Sequence, residues 1–148
     1  MGMQNPLPSD LAAVLSTIDP DAYTANTYTG DWVKCDNFDQ FLGVFCVGTM
    51  GASATVIPSI QQANTSGGGG AKAVKTATTL TQAGSDADKQ VLINVRAEEL
   101  DQENGFLWIA PRLVVGVQTC DAMAFILGFG SRYLAVDTDL ATVDEIVN

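Results

Sequence analysis

Asp88 to Leu100 reads DKQVLINVRAEEL, and whether it forms helix or strand decides the fold class. As a strand it sorts by face: Val91, Ile93, Val95 and Ala97 on one side, Gln90, Asn94, Arg96 and Glu98 on the other. Leu92 alone breaks the alternation. As a helix, Asn94 and Arg96 fall among apolar residues and no stripe forms. The segment is a strand.

Working outward from it, Asn104-Gly105 is a turn dipeptide and predicts that Val91–Glu99 and Phe106–Thr119 are hairpin partners. Pro111 and Gly116 mark irregularities in the second of these. Ala122 to Phe129 (AMAFILGF) is an apolar run whose nearby glycines favour strand over short helix. Upstream, Thr76 to Thr81 alternates as a half-buried strand, and Thr65-Ser66-Gly67-Gly68-Gly69-Gly70 predicts a flexible hairpin tip or surface loop. Ser53 to Ile60 is extended, with Pro58 arguing for an edge strand or a bulge because it cannot donate to a ladder. Gly48 and Gly51 bracket a turn; before it, Phe41 to Val47 (FLGVFCV) and Trp32 to Cys35 are strand candidates.

The two ends differ. Ser9-Asp10 ahead of Leu11, Val14, Leu15 and Ile18 predicts a short helix stopped before Asp19-Pro20. At the other end, Leu140, Val143, Ile146 and Val147 fall on one helical face, so Asp139–Val147 is a short helix or a docking arm. Short strands separated by turn signals predict an all-β fold: a β-sandwich, jelly-roll-like, with a short N-terminal helix and a C-terminal arm or helix. The expected organisation is an N-terminal arm and helix over 1–26, a sandwich over 27–136 and an arm over 137–148.

Composition narrows the function. The 148 residues are 47% hydrophobic and 16% charged, which suits one folded domain. Seven Lys and Arg stand against seventeen Asp and Glu, net −10, with no histidine. Such a surface repels phosphate backbones and anionic lipid, so nucleic-acid and membrane partners are not expected. It suits a basic partner surface, and solubility explains it equally well. Cys35, Cys46 and Cys120 form neither a closed disulfide set nor a zinc site. A signal peptide and an apolar run of membrane-spanning length are not visible, so a soluble chain made inside a cell is expected.

Chemistry is hard to find. The glycine run lacks the ordered Lys and hydroxyl of a phosphate loop: Gly70 is followed by Ala71, Lys72 and Ala73. Asp86 with Asp88, Glu98 with Glu99, and Asp101 with Glu103 are the carboxylate pairs that acid–base chemistry would use, and all lie near strand ends. Asp86/Asp88 or Asp137/Asp139 could supply oxygens to calcium, without the spaced loop of a calcium-binding hand. Without histidine, Ser–His and Cys–His pairs are impossible. The chain reads as a non-enzyme with no cofactor and no metal. Trp32, Trp108, Tyr23, Tyr28 and Tyr133 are either core or a sugar-stacking platform. Arg112 and Arg132, scarce cations in an acidic chain, pair within the domain or across an interface.

Several stretches resemble small virion proteins of tailed phages and prophages: Phe41 to Ala54 (FLGVFCVGTMGASA), Leu80 to Asp101 (LTQAGSDADKQVLINVRAEELD) with Asn104-Gly105-Phe106, Arg132-Tyr133, and Val143 to Val147. That family resembles head-associated decoration or cement proteins. The resemblance implies a virion component made in the host bacterial cytoplasm. It would sit on the outer capsid surface, bound to the major capsid protein and to copies of itself, as a trimer at threefold positions. No catalytic residue comes with it. The interface residues expected on this reading are Arg112, Arg132, Leu140, Val143 and Ile146, and truncation after Val136 should weaken the trimer or its capsid occupancy. A tail, baseplate or fibre sandwich that binds a receptor or glycan is the alternative.

Overall fold

The computed structural model describes residues 5–132 and 139–147; Tyr133, Val136 and Asp137 of the readings above lie outside them. Among the described residues ten strands form two antiparallel sheets. In chain order they are β1 (Ala12–Tyr23), β2 (Asn26–Thr29), β3 (Val33–Lys34), β4 (Gln40–Met50), β5 (Thr55–Ala63), β6 (Lys72–Thr76), β7 (Leu80–Thr81), β8 (Gln90–Arg96), β9 (Trp108–Gly116) and β10 (Cys120–Phe129). The first sheet runs β1-β10-β4-β8; the second runs β2-β9-β5-β6, with β3 beside β9 and β7 beside β5.

The pairing is nested. β1 pairs with β10, β2 with β9, β4 with β8 and β5 with β6. A long antiparallel ribbon paired end to end and then rolled gives this order, which is a jelly roll. The all-β sandwich is therefore as expected.

The alternation that made Asp88–Leu100 a strand is borne out in β8, where Ile93 and Val95 are buried while Gln90, Leu92, Asn94 and Arg96 are exposed. Phe41 and Phe45 of β4, with Ile126 of β10, meet Val56 and Ile60 of β5 and Ile109 and Leu113 of β9 in one core. Burying each such side chain contributes about 1.5–3 kcal/mol. The sheets approach closely there, since a Cβ built on Gly43 would stand 2.8 Å from Ile60 Cδ1.

Several local expectations are corrected. The N-terminal helix is a single turn, Pro8–Leu11, and the chain from Ala12 onward, expected as helix to Ile18 and as part of an arm, is β1 inside the first sheet. Its residues pair from Ala12 opposite Phe129 to Tyr23 opposite Cys120, and this ladder outweighs the weak helical spacing. Asn104-Gly105 closes no hairpin: β8 and β9 lie in different sheets, and Gly105 at φ 80° ends a 3-10 turn, Gln102–Asn104, on the crossover. Thr76 to Thr81 spans the gap between β6 and β7. Gly48 lies within β4, and the turn falls at Gly51, whose carbonyl accepts from the Ala54 N–H. Asp139–Val147 contains no helix.

Pro58 lies in a central strand, β5, with a reason that applies to Pro111 in β9 as well. The N–H and C=O of one strand residue point to the same side. The Pro58 carbonyl accepts from Ala77, just past the end of β6 and before β7; the Pro111 carbonyl accepts from Gly30, between β2 and β3. Each ring nitrogen thus faces a break in the neighbouring strand, where no donor is required.

The glycine loop is a hairpin tip, and it is anchored. Thr65 Oγ1 accepts from Gly69 N–H at 2.8 Å. Gly68 sits at φ 81°, with space for a Cβ already taken by the Trp32 indole at 2.5 Å.

Candidate functional site

Four of the candidate carboxylates are occupied by partners. Asp86 accepts from Lys89 Nζ at 2.8 Å and Thr81 N–H at 2.9 Å. Glu99 accepts from Lys75 Nζ and, at 2.7 Å, from Arg96 N–H. Asp101 pairs with Lys72 and Asn104. These donors hold all three carboxyls below their ordinary range, whereas a glycosidase acid needs its pKa raised. Arg96 also pairs with Glu98 at 3.3 Å, and Lys34 with Asp36 at 3.1 Å. Lys72, the displaced lysine of the glycine run, lies 4.0 Å over the Phe106 ring. Among the described residues no group of three His, Cys, Asp or Glu could hold a metal.

The aromatic candidates scatter. Trp32 packs against Gly68, and Trp108 is half-buried in β9. Tyr23 and Tyr28 pack against each other with ring centroids 4.4 Å apart and planes tilted by 52°, their hydroxyls donating to the Asp19 and Thr24 carbonyls. The expected interface residues do not share one surface either. Arg112 stands in the second sheet with Nε 3.3 Å from Thr29 Oγ1. Arg132 is exposed just after β10, its N–H donating to Asn37. Leu140 and Val143 are half-buried and joined by a turn, while Ile146 is 49% exposed.

What the structure does bring together is an apolar surface that the sequence reading missed. In β4 the buried residues Phe41, Phe45 and Val47 alternate with Leu42, Val44 and Cys46, which are half-buried and point away from the core. In β10 the same holds for Met123, Phe125, Leu127 and Phe129. Register aligns these into rows across the first sheet. Val14, Leu127, Leu42 and Asn94 form one; Thr17, Phe125, Val44 and Leu92 the next; Met123, Cys46 and Gln90 a third. Leu92 is 61% exposed. At one end Gln40, Leu42, Arg96 and Phe129 border a shallow groove of about 540 Å³.

In β4 and β10 the first sheet is therefore apolar on both faces, with one face in the core and one facing outward. An antiparallel sheet with one solvated face normally alternates apolar with polar, and a contiguous apolar patch of this kind marks an interaction surface. The signal was present in FLGVFCV and AMAFILGF, which are apolar at both parities, but only the register shows that the runs are neighbours.

Both edges of the same sheet carry contacts. On the β1 side, Val14 N–H donates to Asp139 Oδ1 at 2.7 Å and the Val14 carbonyl accepts from Leu140 at 2.9 Å. On the β8 side, Lys75 Nζ reaches the Asn94 carbonyl at 2.7 Å. No helix among the described residues is long and apolar enough to cross a membrane.

No protein-family model matches the chain, and no curated protein matches it. Among solved structures, a chain of infectious bursal disease virus, Gx strain, is similar over 91% of this chain, at 16% identity and a TM-score of 0.46. This chain spans 38% of that one. A chain of the cowpea mosaic virus empty virus-like particle is similar over 88% of this chain and 86% of its own length, at 12% identity and a TM-score of 0.44.

Proposed function

We propose that the chain is a non-enzymatic virion structural protein of a tailed phage, a decoration or cement protein that binds the outer surface of the capsid shell as a homo-oligomer, a trimer at threefold positions. The observation that carries the adhesive part is the first sheet's second apolar face, an interaction surface on a sandwich whose shifted carboxylates are all tuned away from acid catalysis. The phage affiliation rests on the sequence resemblance of Phe41–Ala54 and Leu80–Asp101. A cement protein gains affinity by burying surface on several subunits at once, so it needs area and multivalency in place of a pocket. Exposed Asp19, Asp21 and Asp121 suit a basic shell surface.

Gel densitometry of purified particles tests this. The expected result is a copy number comparable with that of the shell subunits, with the purified chain rebinding stripped shells. A few copies per particle would favour the tail or fibre reading. Absence from particles, or unaided turnover of a substrate, would sink the proposal.

A further inference from the structure

We infer that the outer face of the first sheet is the surface on which a second copy of this chain packs. The inference rests on the adhesive reading above and assigns that face to self-association, leaving the exposed carboxylates Asp19, Asp21 and Asp121 for the shell.

A sheet can recruit a partner at an edge or on a face. The edges are partly taken: Asp139 and Leu140 bracket Val14 on β1. On β8, Lys75 takes the Asn94 carbonyl and Glu99 takes the Arg96 N–H. The face remains. Its centre, Val14, Leu42, Val44, Leu92, Phe125 and Leu127, contains no charge, so covering it strands no ion in an apolar setting.

Four strands about 4.8 Å apart, followed over about seven residues at 3.4 Å each, give a flat area of roughly 450 Å². That is over half of the roughly 800 Å² each partner contributes to a standard interface. The same molecule offers what could fill the rest. Leu7 and Leu11 are 44% and 45% exposed, and Ile146 and Val147 are 49% and 82% exposed. These residues lie on the two terminal segments that meet β1: Leu11 runs straight into it, and the second segment is tied to Val14. A receiving face and apolar donors on different parts of one chain make a heterologous contact, which closes into a ring when the rotation allows.

The test is the mass of the purified chain at micromolar concentration, by light scattering and sedimentation velocity. Variants are Leu92→Glu, the gentler Leu92→Ser, and Val117→Glu as a control at a 64% exposed apolar residue in the β9–β10 turn. Wild type and V117E should be oligomers. L92E should run as single chains with an unchanged circular dichroism spectrum, and L92S should associate at least tenfold more weakly. A wild-type chain that stays single, or L92S and L92E assembling like wild type, would overturn the inference. Binding to stripped shells separates the two readings: oligomers that assemble through this face yet never bind shells would sink the decoration role alone. Single wild-type chains that bind shells would sink only the self-association.

Discussion

A methyl group added at Gly128 would lie 2.6 Å from Leu15 Cδ1 and 2.8 Å from Phe38 Cδ1. Both neighbours are buried in the core, and nothing there can swing into solvent. Gly128→Ala should therefore destabilise the fold by about 1–3 kcal/mol, the usual penalty for overpacking. It should appear as a lower urea midpoint with an unchanged slope; an unchanged midpoint would mean that the core yields without strain. Leu92 marks where the outer face begins to differ from an ordinary solvated one. It broke the alternation of DKQVLINVRAEEL, and in the structure it is the outermost apolar residue of a second face. A lone exception in one strand had no visible meaning until Val44 and Phe125 stood beside it.

Among the elements, β1 was the least legible. Its first residues are apolar at both parities, because Ala13, Leu15 and Ile18 face the core while Val14 belongs to the outer face. A bulge between Val14 and Ser16 further disrupts the period. Helix spacing then looked as good as strand spacing. β8 was legible for the opposite reason: its outward side is mostly polar. The expected hairpin after β8 failed because Asn-Gly specifies a local reversal and says nothing about which sheet the chain enters next. The hold of Asp139 and Leu140 on β1 can be measured. Asp139→Ala removes the acceptor of the Val14 N–H, a bond worth about 1–2 kcal/mol at a partly buried position. Exchange of the Val14 amide should accelerate about tenfold, corresponding to about 1.4 kcal/mol, with the β4 amides unchanged. Unaltered exchange at Val14 would mean that the Leu140 contact alone holds the arm.

The nested pairing of a jelly roll is a long-range property that no window of sequence encodes, and the outer apolar face is a product of that pairing. One of the three cysteines lies on this face. Cys35 is buried, and desolvation, with Asp36 nearby, pushes its thiol up to about 12. Cys120 is buried beside Met50, and its thiol is raised by the same cause, with Asp121 adding to it. Thiolate is the reactive form, so both should resist iodoacetamide at pH 8 while the chain is folded. Cys46 is half-buried on the outward side of β4, in register with Met123 and Gln90. If a second copy covers the first sheet, Cys46 is shielded in wild-type oligomers and freed in L92E single chains. Mass spectrometry over an alkylation time course should then show one modification per chain, located at Cys46 and appearing at least tenfold faster in L92E. Equal rates in the two proteins would place the contact elsewhere on the sandwich, even if L92E had dissociated.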